Sequence, residues 1–281
     1  MGQIVANGSA IATAPGPASP PGAFPSDTIL EIRGVSKAFG GLRAVDDCSF
    51  AVQRGTITGL IGPNGAGKST LLSIVAGALR ADSGSIMLDG EPVAGLRPDE
   101  LLSRGLARTF QVPRPIPTMT VLENLVLAGP DQSGERIWNA WCRPGQVGRQ
   151  ENAIVDEALE ILVYVNLIHL RDAYAANLSG GQKKLLEFAR TLMIRPRLVL
   201  LDEPAAGVNR TLMRQLAGHI EEQCRDRGVT FLIVEHDMDL VARLCDPVIV
   251  MNQGTPLFEG SFDQVRQDPA VLEAYLGSQV R

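Results

Sequence analysis

Gly62-Pro63-Asn64-Gly65-Ala66-Gly67-Lys68-Ser69, followed by Thr70, fits Gly-x4-Gly-Lys-Ser at every fixed position. Residues of these types at this spacing suit phosphate chemistry. The glycines let backbone N–H groups turn inward around a β-phosphate with no Cβ in the way, and a helix start adds its positive end. Lys68 is then expected to reach the β- and γ-phosphates, and the Ser69 hydroxyl to ligate Mg2+. Lysines are scarce, being only Lys37, Lys68, Lys183 and Lys184 among 26 basic residues, so one inside a motif stands out. Further along, Leu198-Val199-Leu200-Leu201-Asp202-Glu203 is an apolar run ending in two adjacent carboxylates. Asp202 suits holding Mg2+ through its water shell, and Glu203 suits polarising a water for in-line attack on a γ-phosphate.

Such groups need a scaffold that brings loop ends together. Thr56 to Ile61 reads as a short strand running into the glycine loop, and Leu71, Leu72, Ile74 and Val75 continue it with helical spacing. Further strands are predicted at Leu106 to Phe110, Leu198 to Leu201, Val229 to Val234 and Val248 to Met251, with helical stretches between most of them. That alternation predicts an α/β fold with a largely parallel core sheet. Ile29 to Ile32, Ser49 to Val52 and Ser85 to Leu88, broken by Phe39-Gly40-Gly41 and Asp89-Gly90, predict a small antiparallel sheet. No strand pattern is found from 112 to 177. Helices are expected at Val121 to Leu127 and Ile154 to Val165, separated by a polar, Gly-containing stretch from Pro130 to Arg149 with Trp138 and Trp141. This middle reads as a helical subdomain (112–189) inserted into the core.

Leu178-Ser179-Gly180-Gly181-Gln182 stands just before a helical pattern, where a serine hydroxyl and glycine amides make an anion site. It resembles the signature of ATP-binding cassette (ABC) ATPases. The resemblance covers residues 28–281 and implies a P-loop cassette with a RecA-like core, a small antiparallel β subdomain and an inserted helical subdomain. It implies ATP and Mg2+ as ligands, with Ser179, Gly180, Gly181 and Gln182 meeting the γ-phosphate of ATP bound to a second cassette. Residue by residue, Gln111 is similar to the glutamine that senses Mg2+, His236 to the histidine that hydrogen-bonds the γ-phosphate and orients Glu203, and Phe39 to the aromatic that stacks on adenine. Asn209 stands where cassettes usually carry Asp, which keeps a cross-protomer hydrogen bond and removes a charged contact. His169 and His219 lack any such context and read as structural.

Within the family the chain most resembles ATPases of bacterial branched-chain (hydrophobic) amino-acid uptake systems. Phe39-Gly40-Gly41-Leu42, Ala107-Arg108-Thr109-Phe110-Gln111, Thr120-Val121-Leu122-Glu123-Asn124, Glu235-His236-Asp237-Met238 and the ending Asp268-Pro269 to Leu276-Gly277 carry that likeness. Members of the subgroup often have Tyr where this chain has Gly180, and the subgroup includes relatives for urea and short amides. The resemblance implies an energy-coupling subunit at the cytoplasmic face of the inner membrane. Its partners would be membrane permease subunits, a second cassette and, indirectly, an extracytoplasmic solute-binding protein. The apolar, proline-bearing stretch Val112 to Leu127 would pass motion to the membrane partner.

Composition narrows the alternatives. The 281 residues carry a formal charge of -5, which argues against nucleic acid held by bulk charge, and 45% are hydrophobic, enough for a sizeable core. Cys48, Cys142, Cys224 and Cys245 form no CxxC pair and read as buried or neutral thiols. Residues 1–27, rich in Ala, Pro and Gly, read as a disordered tail without the features of a signal peptide. No apolar stretch approaches the length that spans a bilayer. Two other readings stay open: a soluble cassette acting on ribosomes or DNA ends, which usually carries paired cassettes or a long coiled coil, and a regulatory module that hydrolyses little.

Overall fold

The computed structural model describes residues 24–109, 114–130 and 144–277. Gln111, Trp138, Trp141, Cys142 and the tail through residue 23 lie outside the described residues. Strands β1 (Thr28–Phe39), β2 (Leu42–Gln53), β3 (Ile57–Ile61), β4 (Ser83–Leu88) and β5 (Glu91–Pro92) come first in the chain. They are followed by β6 (Leu106–Arg108), β7 (Leu198–Asp202), β8 (Thr230–Val234), β9 (Val248–Asn252) and β10 (Thr255–Gly260). Two sheets result, an antiparallel one in the order β2-β1-β4-β5 and a larger one in the order β10-β9-β3-β8-β7-β6. The larger sheet is parallel except for β10, which returns antiparallel to β9. The expected α/β core and small antiparallel sheet are both present.

Side-chain alternation along the parallel strands separates two cores. β3, β7 and β8 are buried at every residue, as parallel strands covered on both faces must be. Leu198, Leu200, Leu232, Val234 and Ile249 join the antiparallel sheet and the helix Lys68–Val75 in one core. Val199, Leu201, Phe231, Ile233 and Val248 join Leu125, Leu162, Leu186 and Phe188 in the other. Successive residues on a strand therefore report to different halves of the molecule.

Among the described residues from 114 to 193 the regular elements are helices, with one isolated bridge between Thr120 and Tyr174. Thr120 starts the helix Val121–Val126 with a capping box: its Oγ1 accepts from Glu123 N at 3.1 Å, and Glu123 Oε2 accepts from Thr120 N at 2.7 Å. Asn124 is fully buried and ties the preceding proline-bearing segment to this helix. Its Oδ1 accepts from Ile116 N at 2.8 Å, and its Nδ2 donates to Ile116 O at 3.1 Å and Thr120 O at 2.9 Å.

β1 and β2 each run 12 residues, well beyond the expected Ile29 to Ile32 and Ser49 to Val52, β5 was not expected, and two further elements also differ. The second helix runs Pro144–Tyr164, starting ten residues before the expected Ile154. Its first turns are polar and Gly-containing, so no apolar stripe marks them, although Pro144 suits a first helical position. β10 was not expected as a strand. Its exposure alternates without a buried residue, and Pro256 breaks its pattern, which an edge strand tolerates.

Candidate functional site

Sheet register brings the sequence motifs to one edge. Leu60 on β3 lies beside Val234 on β8, and Val234 lies beside Asp202 on β7. Neighbouring strands are about 4.8 Å apart, so Gly62, Glu235 and Glu203 leave the sheet side by side at the strands' carboxyl ends. In open α/β sheets this is where ligands bind.

Two glycines of the loop are sterically required. Gly62 has φ 147°, and a Cβ there would lie 2.1 Å from Met251 O. Gly67 has φ 99°, and its Cβ would lie 2.2 Å from Ala44 O. Lys68, buried, curls back so that Nζ donates to Gly62 O at 2.7 Å and Pro63 O at 3.0 Å. Burial lowers its pKa, while the charges of Glu203 and Asp202 act in the opposite sense. Ser69 is exposed at the head of the helix, with Thr70 behind it. An open cleft of about 630 Å3 runs past Pro63, Asn64, Gly65 and Ala66, walled by Gln253, Leu257 and Glu273.

The carboxylates stand opposite. Asp202 ends β7 nearly buried, and its Oδ2 accepts from Arg108 Nη2 at 2.9 Å. Glu203 has φ 49°, a left-handed conformation that costs a non-glycine residue of order 1–3 kcal/mol and is concentrated at functional sites. Its N–H donates to Val234 O at 2.9 Å, and its Oε1 lies 3.2 Å from His236 Nε2. The structure thus brings together Lys68, Asp202, Glu203 and His236 as their motifs imply.

Three residues at the site carry roles that sequence reasoning did not assign. Glu235, 2% exposed, accepts from Ala205 N at 2.6 Å, His236 N at 2.9 Å and Asp237 N at 3.2 Å, fastening the loop after β8 to the loop after β7. Lys184 donates to Glu203 O at 2.9 Å and Pro204 O at 3.1 Å, joining the helix Gly180–Met193 to the backbone of Glu203. Burial lowers the Lys184 pKa against the charges of Glu235, Glu187 and Glu203. Arg108 is the third. A signal for Lys184 existed in the scarcity of lysine, and Arg108 and Glu235 stand inside motifs that carry the family likeness, although nothing in the sequence indicated their contacts.

Ser179 caps the helix Gly180–Met193 through a capping box with Gln182, Oγ accepting from Gln182 N at 3.3 Å and Gln182 Oε1 accepting from Ser179 N at 2.9 Å. A Cβ on Gly181 would come within 2.5 Å of Leu212 Cδ1, whereas one on Gly180 would meet nothing within 4 Å. Asn209 caps the helix Arg210–Arg227, its Oδ1 accepting from Leu212 N at 2.9 Å. Phe39 is 51% exposed at the end of β1, with Lys37 Nζ 5.8 Å from its ring centroid, so it is not a core residue. His219 packs its ring 4.4 Å from that of Tyr164, in keeping with a structural role. Burial pushes the thiols of Cys48 and Cys245 up to about 12, and Cys224 is half-buried with its pKa also raised.

Comparison with known proteins agrees with this geometry. The family model described as "ABC transporter" matches residues 45–206, and the one described as "Branched-chain amino acid ATP-binding cassette transporter" matches residues 255–281. The probable branched-chain amino acid transport ATP-binding protein LivG of Archaeoglobus fulgidus is 43% identical over 251 residues, covering 89% of this chain and 96% of that protein. The high-affinity branched-chain amino acid transport ATP-binding protein BraF of Pseudomonas aeruginosa is 38% identical, covering 90% and 99%. A nucleotide-free ATP-binding cassette from an ABC transporter superposes with a TM-score of 0.76 at 38% identity, covering 88% of this chain and 98% of that one. Another cassette, in its ADP conformation, gives 0.74 at 37% identity, covering 89% and 99%.

Proposed function

Since the chain belongs to the ABC transporter family of ATPases, we propose that it is the energy-coupling subunit of an importer for branched-chain or other hydrophobic amino acids. The observation that carries the hydrolytic part of this reading is the Glu203–His236 pair, 3.2 Å apart beside the phosphate loop. Glu203 holds and polarises the attacking water, and His236 fixes the carboxylate's orientation toward it. Lys68 and the loop amides from Gly62 to Thr70 hold the phosphates, and exposed Phe39 offers a face for adenine.

The donor set suits Mg2+. That ion keeps waters and substrate phosphates in its shell and takes one or two protein oxygens; the Ser69 hydroxyl would supply one, and the Asp202 carboxylate would hold the ion through its water shell. Gln111 is the further metal-side candidate by resemblance. When bound, Mg2+ neutralises charge developing on the β- and γ-phosphates.

Residues 28–281 form the ATPase domain in this reading, with 112–189 as its helical subdomain. Ser179, Gly180, Gly181 and Gln182, presented at a capped helix start, face the nucleotide of a second cassette, and Asn209 lies at that same contact. Among the described residues no helix is long and apolar enough to cross a membrane. The chain works at the cytoplasmic face through permease subunits, fed by an extracytoplasmic solute-binding protein. Relatives named for branched-chain amino acid transport support the substrate class.

The test is purification of tagged Glu203→Gln chain from detergent-solubilised membranes with ATP and Mg2+, followed by mass spectrometry and by leucine and urea uptake in cells lacking the subunit. Two polytopic membrane proteins, a second cassette and lost leucine uptake are expected. Recovery with ribosomes or nucleic acid overturns the transport reading, and loss of urea uptake alone overturns the substrate class.

A further inference from the structure

Arg108 is a largely buried cation whose side chain is 16% exposed. It ends β6, paired in register with Leu200 of β7, so it reaches along the sheet to the carboxylate at the end of that strand. Nη2 donates to Asp202 Oδ2 at 2.9 Å, and Nη1 donates to Ser73 Oγ at 3.2 Å. The Ser73 hydroxyl spends its own proton on Ser69 O at 2.6 Å, leaving its lone pairs to Arg108. A continuous polar line therefore runs from the backbone of Ser69, through Ser73 and Arg108, to the Asp202 carboxylate.

Fold stability does not explain this arrangement. A buried ion pair is about neutral against apolar groups of the same volume, and here Arg108 Nε is buried with no hydrogen-bond partner among the described residues. The two ends of the line are, however, the two groups that would hold the metal side of the nucleotide. We propose that Arg108 is a positioning residue for Mg2+–ATP, setting the Asp202 carboxylate and the helical turn that carries Ser69 at a fixed separation. The inference rests on the reading of Ser69 and Asp202 as the metal-side groups. Two nitrogens of one planar guanidinium serve two partners at once, which a lysine ammonium on a flexible stem does not reproduce.

The test is equilibrium binding of the fluorescent analogue mant-ATP to the full chain, titrated with Mg2+ and repeated in EDTA. Arg108→Ala should raise the Mg2+ concentration at half-maximal binding roughly tenfold, the size expected on losing a charge-assisted hydrogen bond. Ser73→Ala, which removes only one link, should raise it about threefold, and Arg108→Lys should fall between wild type and Arg108→Ala. Affinity in EDTA should stay within about twofold of wild type in all three, since the phosphate loop is untouched. A midpoint that is unchanged or lowered in the folded variants overturns the proposal, and Ser73→Ala alone decides it if Arg108→Ala does not fold. Wild-type binding indifferent to Mg2+ would instead overturn the metal assignment beneath it, a result distinct from a metal-dependent wild type with unaltered variants.

Discussion

His236 Nε2 lies 3.2 Å from Glu203 Oε1, although the two residues leave different strands. Their proximity follows from the pairing of Asp202 with Val234, which sets the following residues of β7 and β8 beside each other. Glu235 reinforces it by gripping amides on both loops. A carboxylate held by neighbouring strands in this way would need little rearrangement to meet a water in the role proposed for Glu203.

Glu203→Gln should lower steady-state phosphate release by about 10²- to 10⁴-fold, the range for loss of a general base, while mant-ATP affinity is retained. His236→Ala should lower kcat by a larger factor than it raises KM, since in the proposed role it orients Glu203 besides contacting the γ-phosphate. Phosphate-release kinetics check both. Unaltered turnover in Glu203→Gln would exclude it as the base.

Gly62→Ala and Gly180→Tyr should behave oppositely. The first places a Cβ 2.1 Å from Met251 O at φ 147°, so nucleotide binding should fail and stability drop by at least about 1–3 kcal/mol. The second points into open space and should shift stability by less than about 0.5 kcal/mol. Urea denaturation and mant-ATP titration of the two proteins are the check.

Lys184→Met removes the donor shared by the Glu203 and Pro204 carbonyls. Hydrolysis should fall while nucleotide affinity holds, and loss of the two charge-assisted bonds should cost about 1–3 kcal/mol, the Glu203 carbonyl still accepting from Ala206 N at 3.1 Å. Loss of affinity in step with turnover would argue against a link confined to the hydrolytic side.

Stability should fall on acidification through His219. Burial beside Tyr164 and Phe188 lowers its pKa below 6.5, with Glu222 opposing weakly. The unfolded chain therefore takes up the proton first, so this contribution is complete above about pH 6.5 and is lost as pH drops through the lower, folded value. His219→Gln should flatten the dependence of melting temperature on pH below 6.5. An identical slope in the two proteins would place the acid sensitivity elsewhere.

The site was legible where chemistry restricts residue type. Phosphate contact demands Gly62, Gly67 and Lys68 at fixed spacing, and an apolar strand ending in Asp202-Glu203 announces itself. The contacts of Arg108, Lys184 and Glu235 were not legible because each depends on a partner that only folding brings close, Asp202 for the first, and for the last two backbone carbonyls and the Ala205 amide, which any residue could supply. The central strands were readable from apolar runs. β10 was not, because a solvated edge strand with Pro256 carries no buried pattern, and the first turns of Pro144–Tyr164 were hidden by the lack of an apolar stripe.

Lys184 grips main-chain carbonyls, not the Glu203 carboxylate. A carbonyl has no proton to gain or lose, so neutralising the Glu203 side chain would remove neither acceptor, although its charge does favour the Lys184 ammonium. In the role proposed for Glu203, a proton taken from water would leave both acceptors of Lys184 in place. The helix that begins at Gly180 and the backbone that carries the carboxylate are thereby joined through groups that do not titrate on the Glu203 side.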